Sequence, residues 1–205
     1  MTLEVTVEHA TEAFARRIAP GNALAADAER VGRACYDIAL RFHRGGKLIT
    51  FGNGGCATDA QHVVVEFVHP VIVGKRALPA ISLANDASAA TGLAASAGMD
   101  ETFTTQLDLM AHPDDIALGI SPDGNCGNVA RGLQVAREKG LLTIALTGGD
   151  GGRIAQDGLA DHLFVARSDD PRVVKEIHVT TYHLLWELVH VFFEQPGVLD
   201  PGVVR

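Results

Sequence analysis

Three short stretches rich in glycine and small polar residues carry the strongest chemical signal in this 205-residue chain. Each follows an apolar run and leads into a helical pattern: Gly52-Asn53-Gly54-Gly55-Cys56, Ser121-Pro122-Asp123-Gly124-Asn125-Cys126 and Thr147-Gly148-Gly149-Asp150-Gly151-Gly152. Glycine lets a backbone approach a ligand closely, and a helix N-terminus offers unpaired N–H groups to an anion. Ordinary tight turns between strand and helix favour the same residue types, so one such loop says little. Three of them at consecutive strand ends point to a phosphate site. Beyond the first loop, His62 and Glu66 stand four residues apart on a helical pattern and share a face that points back toward the glycines. His183 lies in a second helical pattern among apolar neighbours, where burial can tune an imidazole.

The elements that must position these groups follow from hydrophobic period. Apolar residues with helical spacing run from His9 to about Ile18 and again from Ala23 to about His43, where Gly45-Gly46 stop the helix. Five short runs, apolar nearly throughout, then alternate with helical stretches: 48–51, 80–83, 116–120, 142–146 and 162–165. Such runs suit strands buried on both faces of a parallel sheet. A long closing helix spans about Pro171 to Glu194. The expected fold is α/β: a doubly wound, five-stranded parallel sheet flanked by helices, flavodoxin-like and three-layered, with N-terminal helices ahead of it. Ligands of such sheets bind at the carboxyl ends of the strands. Residues 1–7 and 195–205 read as tails.

Composition narrows the class further. Hydrophobic residues make up 47% and charged residues 20%, a globular balance. Lys plus Arg is 17 against 25 for Asp plus Glu, a net charge of −8 without a basic stripe, which argues against nucleic acid as a partner. No apolar run is long enough to span a bilayer, and no signal-peptide pattern opens the chain. Three sparse cysteines, Cys35, Cys56 and Cys126, read as reduced thiols, so a cytoplasmic location is expected.

GNGG followed by a helix with Asp59, His62 and Glu66, then LGIS-x-x-GN, ALTG-x-DGG and KEIH-x-x-x-x-H, resembles the sugar isomerase (SIS) domain, and within it the phosphoheptose isomerases. The resemblance covers roughly residues 8 to 195, which makes residues 1–205 a single SIS domain, with N-terminal helices over about 8–44 and an α/β core and closing helix over 47–195. It implies isomerisation between an aldose and a ketose phosphate, as with sedoheptulose 7-phosphate, with Glu66 as base and His183 as acid. Together with the loops, it places Asn53, Gly54, Gly55, Cys56, Ser121, Asp123, Gly124, Asn125, Cys126, Thr147 and Lys175 around the substrate. It also implies a homotetramer. Some members hold zinc with residues matching His62, Glu66 and His183 and with a Gln eight positions before the last His. Lys175 stands there in this chain. A charged Lys is no ligand, which leaves its ammonium to replace the metal charge beside Glu66, or three ligands and water to hold the ion.

Other positions depart from the family pattern. Cys56, Pro122, Asp123 and Cys126 replace hydroxyl residues, and an ionised Asp123 would repel a phosphate. Cys56 and Cys126 with Asp123 would make a soft metal set if the loops brought them together. The family's Asn-Asp pair before the next helix falls near Ala95-Ser96. Such divergence keeps two other readings in play: a non-catalytic sugar-phosphate regulator or scaffold, and an isomerase of a different sugar. His178 is expected on the face away from His183, structural or exposed, while His190 and Glu187 are placed either to orient His183 or to meet another subunit.

Overall fold

The computed structural model describes residues 3–195 and 197–199, with the side chains of residues 3–5 left aside. The strand runs fold as expected: β1 Leu48–Gly52, β2 Ala80–Ser82, β3 Ile116–Ile120, β4 Leu142–Gly148 and β5 His162–Ala166. They pair in parallel in the order β2-β1-β3-β4-β5, with Leu48 opposite both Ala80 and Ile116, and Ile116 opposite Leu142. The order reverses between β1 and β3, which places the switch point of the sheet between the first two glycine loops.

Each strand feeds both faces because its side chains alternate. Leu48, Ile116, Leu118, Ile120, Ile144 and Leu146 point into one core, while Ile49, Phe51, Ala117 and Ala145 point into the other. Over the first face pack α2 (Ala28–His43), α3 (Gly55–Val68) and α8 (Pro171–Phe193), through Val31, Cys35, Ile38, Phe42, Val63, Phe67, Leu185 and Val189. Each such side chain contributes about 1.5–3 kcal/mol on burial. The second face is covered by α5 (Thr104–Met110) and α6 (Gly127–Glu138), with α4 (Ala87–Ala97) and the short α7 (Gly152–Gln156) completing the set. Among the described residues, no helix is long and apolar enough to cross a membrane.

The ends differ from expectation. In place of a tail and a helix over 9–18, a 24-residue helix α1 runs from Leu3 to Ala26 with Pro20 inside it, and only Asp27 separates it from α2. Its pattern is hard to read because it is largely a surface helix: Val7, Phe14 and Ile18 lie on one side and are 58%, 74% and 61% exposed. At the other end Leu199 is buried in the first core, so that stretch is not simply a tail. Met1, Thr2, Pro196 and residues 200–205 lie outside the described residues. The Asn-Asp pair is also present where a helix begins: Asn85-Asp86 precede α4, and the Asp86 carboxylate accepts the N–H groups of Ser88 and Ala89. That is ten residues before Ala95-Ser96, the position expected from the sequence.

Candidate active site

The first two loops are joined across the switch point. Asn53, after β1, and Asn128, in the first turn of α6, exchange amide hydrogen bonds of 2.7 and 2.9 Å. The second and third loops interlock through their backbones. Gly124 (φ +75°) packs so closely on Gly151 that a Cβ there would lie 1.9 Å from the Gly151 carbonyl oxygen. The Ile154 N–H donates to the Gly124 carbonyl, and the Arg153 N–H donates to Asn125 Oδ1.

Helices α3 and α8 bring the chemistry together. Their N-terminal ends meet at the loops, and paired residues then descend in parallel. Lys175 Nζ donates to Asp59 Oδ1 at 2.7 Å and to the Gly55 carbonyl at 2.9 Å. Farther along, the Tyr182 hydroxyl meets His62 Nδ1 at 2.7 Å. His62 Nε2 is 3.1 Å from Glu66 Oε1, and His183 Nε2 is 4.0 Å from the same oxygen. Glu66 is largely buried, while the side chains of His62 and His183 are 42% and 45% exposed. A buried carboxylate between two open imidazoles can exchange protons with a small molecule lying over them. Burial raises the Tyr182 hydroxyl well above its ordinary range, with Asp59 and Glu66 adding to the effect, so it stays protonated and orients His62.

His62, Glu66 and His183 place one ligand atom each within 4.8 Å of one another. Two imidazole nitrogens and a carboxylate oxygen suit zinc, and the Tyr182 hydroxyl oxygen can accept the N–H on the far nitrogen of His62, the position where such a ligand is commonly supported. The fourth family position does not join them: Lys175 is paired with Asp59, so of the two arrangements open in the sequence the ammonium beside Glu66 is not the one seen.

At the meeting of the helix N-termini, a cavity of about 200 Å³ is lined by Asn53, Gly55, Cys56, Asp59, Pro122, Pro171, Val174 and Lys175. Of the sequence-predicted binding residues it thus gathers Asn53, Gly55, Cys56 and Lys175. Gly54 lies at the α3 N-terminus with φ +53°, as the loop's turn requires. The others shape the loops instead. Ser121 is fully buried, its oxygen accepting the Gly124 N–H, and Thr147 is fully buried with its hydroxyl unpartnered. The Asp123 carboxylate bends back on the Asn125 N–H at the exposed edge and does not line the cavity. Cys126 packs against the second core. The conditional soft-metal set of Cys56, Cys126 and Asp123 does not form: Cys56 shares ligand distance with Asp59 and His178 instead. Burial pushes the Cys56 thiol up to about 11, so it is uncharged at neutral pH.

Of two histidine expectations, one holds and one is corrected. His178 takes the structural alternative: it is buried and its Nε2 donates to the Thr147 carbonyl, tying α8 to the end of β4. His190 does not touch His183: its nitrogens contact the Trp186 and Arg76 carbonyls, one turn back and on the loop after α3. Both outcomes depend on how α8 rolls against the sheet, which helical spacing alone does not fix. Desolvation holds the His178 pKa below its ordinary 6.5. The unfolded chain therefore binds the extra proton first, and this contribution to stability is full above pH 6.5 and lost as pH falls below it. We expect the urea midpoint to drop between pH 7 and 5, and His178→Gln, which keeps the donor to Thr147, to flatten that drop.

A parallel sheet with ligand-facing loops at its switch point and a carboxylate between two histidines defines a sugar isomerase domain, and residues 11–148 match the family model described as SIS domain. Compared with curated proteins, the chain is 37% identical over 199 residues to the phosphoheptose isomerase of Nitratidesulfovibrio vulgaris, covering 97% of this chain and 93% of that one. It is 41% identical over 152 residues to that of Aquifex aeolicus, covering 74% and 78%. The solved phosphoheptose isomerase of Neisseria gonorrhoeae superposes with a TM-score of 0.81 at 29% identity, over 90% of this chain and 98% of that chain. The chain belongs to the phosphoheptose isomerase family of SIS domains.

Proposed function

We propose that this protein is a sugar-phosphate isomerase that interconverts sedoheptulose 7-phosphate and a heptose 7-phosphate. The observation that carries the reading is the Glu66 carboxylate held between His62 and His183 in a chain so similar to phosphoheptose isomerases. In the proposed reaction Glu66 takes the proton from the carbon next to the carbonyl, and His183 protonates the carbonyl oxygen to give an enediol. Return of the proton from Glu66 to the former carbonyl carbon, with the hydroxyl on the other carbon giving its proton to His183, forms the new carbonyl and restores both groups. His62, steadied by Tyr182, holds the Glu66 carboxylate in place. Zinc held by His62, Glu66 and His183 would supply Lewis-acid polarisation of the substrate oxygens.

The remaining parts of the reading have their own support. The exposed row Val7, Phe14 and Ile18 on α1 favours association, with a homotetramer as the proposed state. Free thiols at Cys35, Cys56 and Cys126 favour a cytoplasmic setting. One continuous sheet favours a single domain. Incubation of the purified protein with sedoheptulose 7-phosphate, with zinc or with chelator, tests the activity. Aldose formation is expected, and loss of it in chelator marks a metal-dependent reaction. No product in either buffer overturns the heptose assignment.

A further inference from the structure

The loss of hydroxyl residues from the loops raises the question of what holds an anion in a chain of net charge −8. Of the residues lining the cavity at the N-termini of α3 and α8, Lys175 alone carries positive charge. Its ammonium has three hydrogens. Two are engaged, by the Asp59 carboxylate, which is 6% exposed, and by the Gly55 carbonyl. The third remains for a ligand, on a side chain 48% exposed at the cavity. The ion pair with Asp59 also orders the long lysine stem before any ligand arrives. Both helices that end here aim the positive ends of their dipoles at the same space. Cys56 adds no opposing charge, because its thiol is protonated.

We propose that Lys175 is the phosphate anchor of this protein. The identity of the reacting end rests on the isomerase reading, whereas the anion site does not. Inorganic phosphate is therefore the first probe, measured by calorimetric titration of the full chain with the wild type, Lys175→Arg, Lys175→Gln and the double variant Asp59→Asn/Lys175→Gln. The double variant leaves no buried carboxylate stranded, so it keeps the test open if the single variant fails to fold. Phosphate is expected to bind the wild type, to bind Lys175→Arg within a few-fold, and to weaken tenfold or more in both Gln variants. In turnover, KM for sedoheptulose 7-phosphate is expected to rise tenfold or more in the double variant, with unphosphorylated sedoheptulose affected less than twofold. The anchor is overturned by phosphate affinity unchanged in the folded double variant, by no phosphate binding to the wild type, or by equal losses for both sugars. Phosphate binding that depends on Lys175 without any sugar turnover would instead overturn the isomerase reading and leave the anchor standing.

Discussion

Glu66→Gln is expected to lower kcat by a factor on the order of 10²–10⁴ while leaving KM within a few-fold. The amide keeps the size of the carboxylate and can keep a contact with His62, which lies 3.1 Å from Oε1. It loses the ability to take a proton from carbon. A loss of that size corresponds to about 3–5 kcal/mol in the barrier, more than the loss of one hydrogen bond to a neutral group explains. Two measurements check it: steady-state kinetics, and incorporation of deuterium from solvent into recovered substrate, which reports proton abstraction even where net turnover is slow. Thermal unfolding should change little, since the substitution conserves volume. A variant that still exchanges deuterium at the wild-type rate would remove Glu66 from the role of base.

The second large effect is structural. Gly124→Ala is expected to cost about 3 kcal/mol or more, from a left-handed backbone and a backbone clash that act together. The φ of +75° already disfavours any side chain, and the new Cβ would stand 1.9 Å from the Gly151 carbonyl oxygen, a backbone atom that cannot swing aside. For a chain of this length that lowers the melting temperature by about 6–12 °C. Gly54→Ala is the informative comparison. Its φ of +53° carries a similar strain, but nothing lies within 4 Å of the added atom, so its cost should be limited to about 1–3 kcal/mol. Equal effects at the two positions would show that the interlocked loops are looser than their geometry implies.

The strands were legible because burial on both faces leaves a simple mark. Residues 116–120, apolar almost throughout, became β3 at those bounds, and the runs starting at 48, 80, 142 and 162 began β1, β2, β4 and β5 at the positions read from sequence. The triad was legible too, since His62 and Glu66 share a turn and the family pattern supplies His183. What the sequence did not reveal is the pairing across elements. Lys175 is as near in sequence to His183 as to several other groups, and its choice of Asp59 over Glu66 follows from α3 and α8 running parallel with their N-termini together. The contact of Asn53 with Asn128 spans 75 residues and depends on the crossover that sets β1 beside β3. Asp123 reads as a ligand-facing carboxylate from its place in the loop, yet its own turn claims it. Local turn chemistry outweighed motif position there.

The locked loops and the uninterrupted α8 give the two walls of the site different prospects for change. On the loop side, an altered residue must satisfy partners from other strands, as Gly124 does with Gly151 and Asn53 with Asn128. On the other side, Lys175, His178, Tyr182 and His183 follow one another along a single helix whose hydrogen bonds do not depend on those side chains. A new preference for a sugar can therefore arise by paired substitutions on α8 and α3, as the contacts Lys175–Asp59 and Tyr182–His62 require, without the loops having to close again. Among descendants of such a protein, drift in substrate would be recorded in that helix pair, and the loops would remain the ancestral half.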